Sequence, residues 1–218
     1  MKVILTGATG MVGEGVLMEC LRNPDVSEVL VVSRKSVQKH HLKIKELIVP
    51  DFNLIISFAE QLKGYDATFF CAGISSVGLN EMQYTRITYD LTIAFAETVL
   101  SVNPDSTFCF VSGTGTDSSE KGKLMWARVK GKTENALISM PFKQVYCFRP
   151  GFMQPTPGQQ NVKTFYKVIG KTYPFFKMIF PAYISTMREV GAAMINAAML
   201  GFEKKVLEVK DILAAAKR

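Results

Sequence analysis

Short apolar runs alternate with segments of helical periodicity along the first two thirds of the chain. Residues 2–6 (KVILT) form an apolar run that ends at a glycine, as a buried parallel strand does. In 11–22, Val12, Val16, Leu17, Cys20 and Leu21 recur at helical spacing, and Pro24 ends the helix. Further strands are predicted at 28–33 (EVLVVS), 44–49, 67–71 (ATFFC), 107–112 (TFCFVS) and 144–149, the last closed by Arg149-Pro150-Gly151. Between them lie a helix over 81–100, with Ile87, Leu91, Phe95 and Val99 on one stripe, and a helix over 124–138. Such alternation predicts parallel pairing through right-handed crossovers, hence an α/β fold with a doubly wound parallel sheet. Beyond Gly151 the pattern changes to a Pro/Gln/Gly-rich loop at 154–160 and then helical segments. These include an alanine-rich amphipathic stretch at 188–199, followed by a short strand at 206–209 and a terminal helix.

Composition narrows the class. The 218 residues are 48% hydrophobic and 21% charged, a globular balance that excludes a disordered chain, a collagen-like repeat or a coiled coil. Cys20, Cys71, Cys109 and Cys147 form no CxxC pair, and His40 and His41 are the only histidines, so no metal site is predicted. Each cysteine lies in or beside an apolar run and reads as a buried free thiol of a reducing compartment. The first strand begins at Lys2, leaving no room for a signal or transit peptide, and no run reaches the ~18–20 apolar residues of a membrane span. A cytoplasmic protein is the expectation.

The formal charge of +7 is uneven. No acidic residue lies between Glu134 and Glu189, whereas Lys143, Arg149, Lys163, Lys167, Lys171, Lys177 and Arg188 do, and the rest of the chain is balanced. The same stretch is rich in Phe and Tyr. This cationic aromatic segment fits an anionic partner or, equally, a solvated basic face over an aromatic core.

The strongest motif joins the first strand to the first helix: Thr6-Gly7-Ala8-Thr9-Gly10-Met11-Val12-Gly13, with glycines spaced GxxGxxG. Gly7 permits the tight turn, Gly10 lets the backbone approach a pyrophosphate, and Gly13 allows close helix–strand packing, while the helix N-terminus offers free N–H groups. At the end of the second strand a carboxylate would bind a ribose 2′-hydroxyl, and an arginine would accommodate a 2′-phosphate. Ser33-Arg34-Lys35 occupies that place, which favours NADP(H) over NAD(H).

These motifs resemble the atypical short-chain dehydrogenase/reductase superfamily, in its NAD-dependent epimerase/dehydratase-like branch. The resemblance rests on TGATGMVG, VSRK, FFCAG and the RPG after the sixth strand. More narrowly, the Ser-Gly at 112–113 followed by MWARVKGKTE is similar to the serine loop and VKGxxE helix of the Tat-interacting-protein-like NADPH-binding group, and Pro50-Asp51-Phe52 to its aspartate–phenylalanine pair. The resemblance implies a Rossmann domain over 1–218 with a small substrate lobe at 152–205. It places the pyrophosphate on Gly7, Thr9, Gly10, Met11, Val12 and Gly13, and the adenosine phosphate on Ser33, Arg34 and Lys35. Asp51 and Phe52 would lie near the adenine, and Cys71, Ala72 and Gly73 under the ribose. Pro150 and Gly151 would flank the nicotinamide, Lys130 would bond its ribose, and Ser112 would polarise a substrate carbonyl.

One position departs from that pattern. The superfamily's general acid is a tyrosine four residues before the lysine, and here Trp126 stands there. An indole N–H donates a hydrogen bond but exchanges no proton at neutral pH. Tyr166, Tyr173 and Tyr183 are alternative proton sources. Two functions follow: an NADPH-dependent oxidoreductase with a non-standard acid, acting on a small molecule that is hydrophobic or anionic, or a non-catalytic NADPH-binding module that contacts a partner. A nucleic-acid role ranks lowest, and a homodimer is compatible with the helix at 188–199.

Overall fold

The computed structural model describes residues 1–162 and 184–218. Seven strands form one parallel sheet in the order β3-β2-β1-β4-β5-β6-β9, a doubly wound Rossmann-like arrangement. They are β1 (Lys2–Thr6), β2 (Glu28–Ser33), β3 (Ile44–Ile48), β4 (Ala67–Phe70), β5 (Thr107–Val111), β6 (Gln144–Arg149) and β9 (Val206–Glu208). The chain builds outward from β1 through β2 to β3, then returns to β4 on the other side of β1. The C-terminal ends of β1 and β4 therefore border the point where the winding reverses, the place where such sheets leave a crevice.

Successive strand residues face opposite sides of the sheet, and each side carries its own core. Val3, Leu5, Val29, Val31 and Phe69 pack with Val16, Leu17 and Cys20 of α1 (Met11–Arg22) and with Val190 and Met194 of α5 (Met187–Leu200). Ile4, Leu30, Val32, Phe70, Phe108 and Phe110 pack on the other side with Phe95 and Val99 of α3 (Leu91–Val102) and Leu137 of α4 (Met125–Ile138). Phe70 is the hinge of an aromatic cluster there, edge-on to Phe95 at 5.3 Å and beside Phe108 at 6.0 Å.

Three features differ from the sequence expectation. The helix expected over 81–100 is α2 (Glu81–Thr85), one π-helical turn (Arg86–Asp90) and then α3, which runs on to Val102. Asn80 and Gln83 start α2 with a reciprocal capping box. A 3-10 segment spans Phe52–Leu62, where Leu54, Ile55 and Ile56 stand in one block rather than at helical spacing, so that Leu54 and Ile56 face solvent. The third is a separate two-stranded parallel ribbon, β7 (Phe152–Gln154) with β8 (Ile184–Thr186). The terminal helix is α6 (Val209–Ala215). Tyr166, Tyr173, Tyr183 and the lysines at 163, 167, 171 and 177 lie outside the described residues.

Candidate functional site

The glycine loop is shaped by contacts that exclude side chains. Gly7 has φ +73°, and a Cβ on it would lie 2.6 Å from the backbone of Cys71 and Ala72. The Ala72 N–H donates to the Thr6 hydroxyl at 3.1 Å, which ties the ends of β1 and β4 together. A Cβ on Gly13 would stand 2.2 Å from the Gly7 carbonyl oxygen. Gly10 is different: its backbone is extended, and its Cβ would meet only that same oxygen, at 3.4 Å. The fold itself therefore tolerates a side chain at Gly10, and its absence keeps space open in front of α1. That helix starts without a side-chain cap, so its first-turn N–H groups stay available to an anion.

In front of the loop lies a cavity of about 340 Å³. Gly7, Thr9 and Gly10 form its floor, Val32, Ser33 and Arg34 one wall together with Pro50, Asp51 and Phe52, and Phe70, Cys71, Ala72 and Gly73 the facing wall. Ile74, Ile87 and Leu91 close it. The Phe52 ring stacks on Phe95 at 5.9 Å, and Asp51 caps the 3-10 segment by accepting from the Asn53 N–H at 2.9 Å. Ser33 is buried and turns its hydroxyl to the Lys35 carbonyl at 2.7 Å, which shapes the turn that leaves Arg34 exposed at the rim. Met11, Val12 and Gly13 stand behind the floor in the first helical turn, and Lys35 is exposed beyond the lining. Burial pushes the Cys71 thiol far up and the Cys20 thiol up to about 12, so both stay protonated. All four cysteines are free.

The other expected residues gather at the ends of β5 and β6, outside that lining. The Ser112 N–H donates to the Phe148 carbonyl at 2.9 Å and the Thr114 N–H to the Pro150 carbonyl at 3.0 Å, so the two strand ends run on side by side as far as Pro150. The VKGxxE segment on α4 explains itself here. Lys130 donates to the Ser112 carbonyl, and Gly131 admits the backbone of Asp117, whose carbonyl oxygen would lie 1.8 Å from a Cβ. Glu134, fully buried, receives the Ser112 hydroxyl at 2.5 Å and the Arg149 guanidinium through Nε at 3.0 Å and through Nη2. The single Ser112 proton thus points at acceptors inside the protein, Glu134 or the Phe148 carbonyl at 3.1 Å. Burial lowers the pKa of Lys130, opposed in part by the Glu134 charge. Arg149, one of the cations counted in the acid-free stretch, is neutralised here by Glu134 and by Glu208 at 3.1 Å. Trp126 is half-buried against Gly115, one turn before Lys130.

Sequence reasoning gave no role to Glu14 or Glu134. Glu14, in the first turn of α1, is wholly enclosed and accepts from the backbone N–H groups of Gln160 (3.0 Å) and Asn161 (2.7 Å) and from the Lys39 ammonium (2.9 Å). Gln159 adds a bond from Nε2 to the Met11 carbonyl at 2.7 Å. The strap after β7 and the loop after β2, which carries Arg34, are thereby tied to α1. Burial raises the Glu14 pKa, but these three donors together outweigh it and hold the carboxyl below its ordinary range. A charged residue on the apolar side of a helix pattern, between Gly13 and Gly15, was the legible signal.

The chain resembles known proteins along its length. Protein fmp52, mitochondrial, of Emericella nidulans is 23% identical over 217 residues, covering 94% of this chain and 90% of that one. Among solved structures, the ADP-L-glycero-D-manno-heptose-6-epimerase of Helicobacter pylori superposes with TM-score 0.68 at 17% identity, covering 99% of this chain and 80% of that one. A short chain dehydrogenase from Burkholderia cenocepacia in complex with NADP gives 0.66 at 12% identity, covering 94% and 86%. At such identities the structures establish the fold alone. The cytoplasmic expectation is overturned, because relatives from Emericella nidulans and from yeasts are named mitochondrial proteins. A glycine loop close to the first residue reflects the fold and carries no address. Among the described residues no helix is long and apolar enough to cross a membrane. Residues 3–121 match the model of the NAD dependent epimerase/dehydratase family, and with the glycine loop at the reversal of a doubly wound sheet the chain belongs to that family, as an atypical short-chain dehydrogenase/reductase.

Proposed function

We propose that the chain binds NADPH in the cavity at the β1–β4 reversal and acts as an oxidoreductase on a small hydrophobic or anionic molecule, in mitochondria like its named relatives. The observation that carries this reading is Gly10, whose missing side chain serves no contact within the fold and opens the approach to an uncapped helix N-terminus. Gly7, Thr9 and Gly10 with the first-turn amides of Met11, Val12 and Gly13 would hold the pyrophosphate. Arg34, flanked by Lys35 on a turn set by Ser33, would fork onto the 2′-phosphate. Asp51 and Phe52 would border the adenine, and Cys71, Ala72 and Gly73 the ribose. Lys130 would meet the nicotinamide ribose between Ser112 and the Pro150-Gly151 segment. A bound nicotinamide supplies hydride transfer. In this reading Ser112 works inward, its carbonyl holding Lys130 and its hydroxyl holding Glu134.

Trp126 favours a second reading, a non-catalytic NADPH-binding module that signals cofactor state to a partner. Calorimetric titration with NADPH and NADH at fixed salt, on the wild type and Arg34→Ala, tests the shared part. We expect NADPH to bind at least about tenfold more tightly than NADH, and that preference to vanish in the variant. Equal affinities in the wild type would sink the NADPH assignment. Turnover across a panel of carbonyls and quinones separates the enzyme from the module.

A further inference from the structure

A second cavity, of about 550 Å³, shares no lining residue with the first. It lies where the C-terminal end of α1, the turn after β7 and the N-terminal end of α5 meet, and is lined by Arg22, Gln154, Thr156, Thr186 and Arg188 with Pro155 and Pro157. The two arginines come from different helices and converge because those helices touch. Gly191 of α5 has no side chain, and a Cβ there would lie 2.8 Å from Cβ and Cγ of Glu19 on α1. Glu19, only 7% exposed, is fixed in that contact. Its two carboxylate oxygens face Arg22 at 2.7 Å and Arg188 at 3.7 Å.

One carboxylate between two guanidiniums leaves the cluster positive. Arg22 needs Glu19 only as an ordinary neighbour one helical turn away, but Arg188 is beyond hydrogen-bond distance of it and stays 74% exposed. Its fork forms no hydrogen bond among the described residues. Thr156 also lines the cavity, but its hydroxyl is enclosed, so the arginine forks are the charged groups that face the cavity. The opposing charge is Glu189, whose carboxylate is taken up with the Thr186 N–H and hydroxyl in the capping box of α5. The acid-free stretch of the sequence ends at Arg188, on this rim.

We propose that this cavity binds a phosphate monoester, its phosphoryl oxygens held by the forks of Arg22 and Arg188. A tetrahedral dianion can accept from two forks arriving from different helices, whereas one planar carboxylate matches a single fork. The volume exceeds what bare phosphate fills, so the ester's organic part lies along Pro155 and Pro157.

The test titrates the full chain with glycerol phosphate, inorganic phosphate and citrate at constant ionic strength, reading calorimetry and hydrogen exchange together. Glycerol phosphate should bind more tightly than inorganic phosphate, and citrate more weakly than both. Exchange should slow at 154–157 and 184–190. Arg22→Gln and Arg188→Gln should each weaken glycerol phosphate by about tenfold, and Arg188→Lys by less, since it keeps charge but loses the fork. Both arginines are solvent-exposed, and melting curves of the variants check that they fold. The proposal is overturned if glycerol phosphate fails to bind at about 10 mM, or if the arginine variants bind it unchanged. It also fails if Arg34→Gln abolishes binding while exchange slows only around residues 7–13, or if citrate binds best.

Discussion

The Ser112 hydroxyl lies 2.5 Å from a carboxylate oxygen of Glu134 that also receives Nε of Arg149 at 3.0 Å. The two contacts are unequal in what they hold. Ser112→Ala leaves Glu134 still paired with Arg149, so the loss is one hydrogen bond to a charged group, about 1.5–3 kcal/mol. Glu134→Ala leaves a guanidinium whose side chain is 10% exposed with only Glu208 as a charged partner and the Ser118 hydroxyl as a neutral one, and costs about 3–5 kcal/mol. Urea unfolding of both variants should show that order. A Ser112→Ala variant as damaged as Glu134→Ala would mean that the serine, not the ion pair, is the keystone.

Gly10 and Gly13 should part company when each is replaced by alanine. A Cβ at position 13 overlaps the Gly7 carbonyl oxygen at 2.2 Å, a backbone contact that cannot swing aside. Gly13→Ala should therefore lower stability by about 2–3 kcal/mol, and nucleotide binding with it. A Cβ at position 10 has room, with its one neighbour at 3.4 Å, so Gly10→Ala should melt within a few degrees of the wild type. In the proposed NADPH site it should nonetheless weaken dinucleotide binding by about tenfold or more, because the added methyl would stand where the pyrophosphate would approach. Thermal melts paired with calorimetry separate the two.

These contrasts also show what a sequence can and cannot carry. The glycine loop, the Ser33-Arg34 turn and all seven sheet strands are legible because each depends on a local rule: glycine spacing, an apolar run, a turn residue. The VKGxxE segment is legible as a motif but not as a mechanism, since Glu134 meets Ser112 and Arg149 only after β5, α4 and β6 have packed. Glu14 is illegible for the same reason, as its donors lie 25, 146 and 147 residues away. The β7–β8 ribbon escapes notice because three-residue strands carry too short an alternation to read. The π turn at Arg86–Asp90 keeps the apolar spacing of the α-helices around it and so looks like one helix.

Glu14 predicts an acid limb to stability. Its folded pKa is held below its unfolded value near 4.3. Such a carboxylate stabilises the fold above the unfolded value, and the contribution disappears as pH falls through the folded one. Glu14→Gln should cost about 2–3 kcal/mol at pH 7, since an amide cannot serve Lys39 and two backbone N–H groups as an anion does. The gap between wild type and variant should be constant above about pH 5 and narrow below about pH 4. Hydrogen exchange at 159–161 should quicken in the variant, marking release of the strap. A gap that widens on acidification would mean that Glu14 is protonated in the folded protein.

Trp126 is the most informative position for chemistry. It lies one helical turn before Lys130, so a side chain at 126 shares the face from which the Lys130 ammonium reaches the Ser112 carbonyl. Trp126→Tyr places a phenol beside that ammonium, and a neighbouring positive charge lowers a phenol's pKa toward the range where it can donate a proton. If the chain turns over with a tryptophan there, the added acid should raise carbonyl reduction by about 10²-fold or more, with nucleotide affinity unchanged. The gain depends on charged Lys130, whose pKa burial holds below that of an ordinary lysine. The rate of the variant should therefore fall on the alkaline side sooner than for a lysine in water, and Lys130→Met should erase the gain. Stopped assays with NADPH across a carbonyl panel measure both. Tight NADPH binding with no turnover in either protein would leave the cofactor site intact and assign it to sensing rather than reduction.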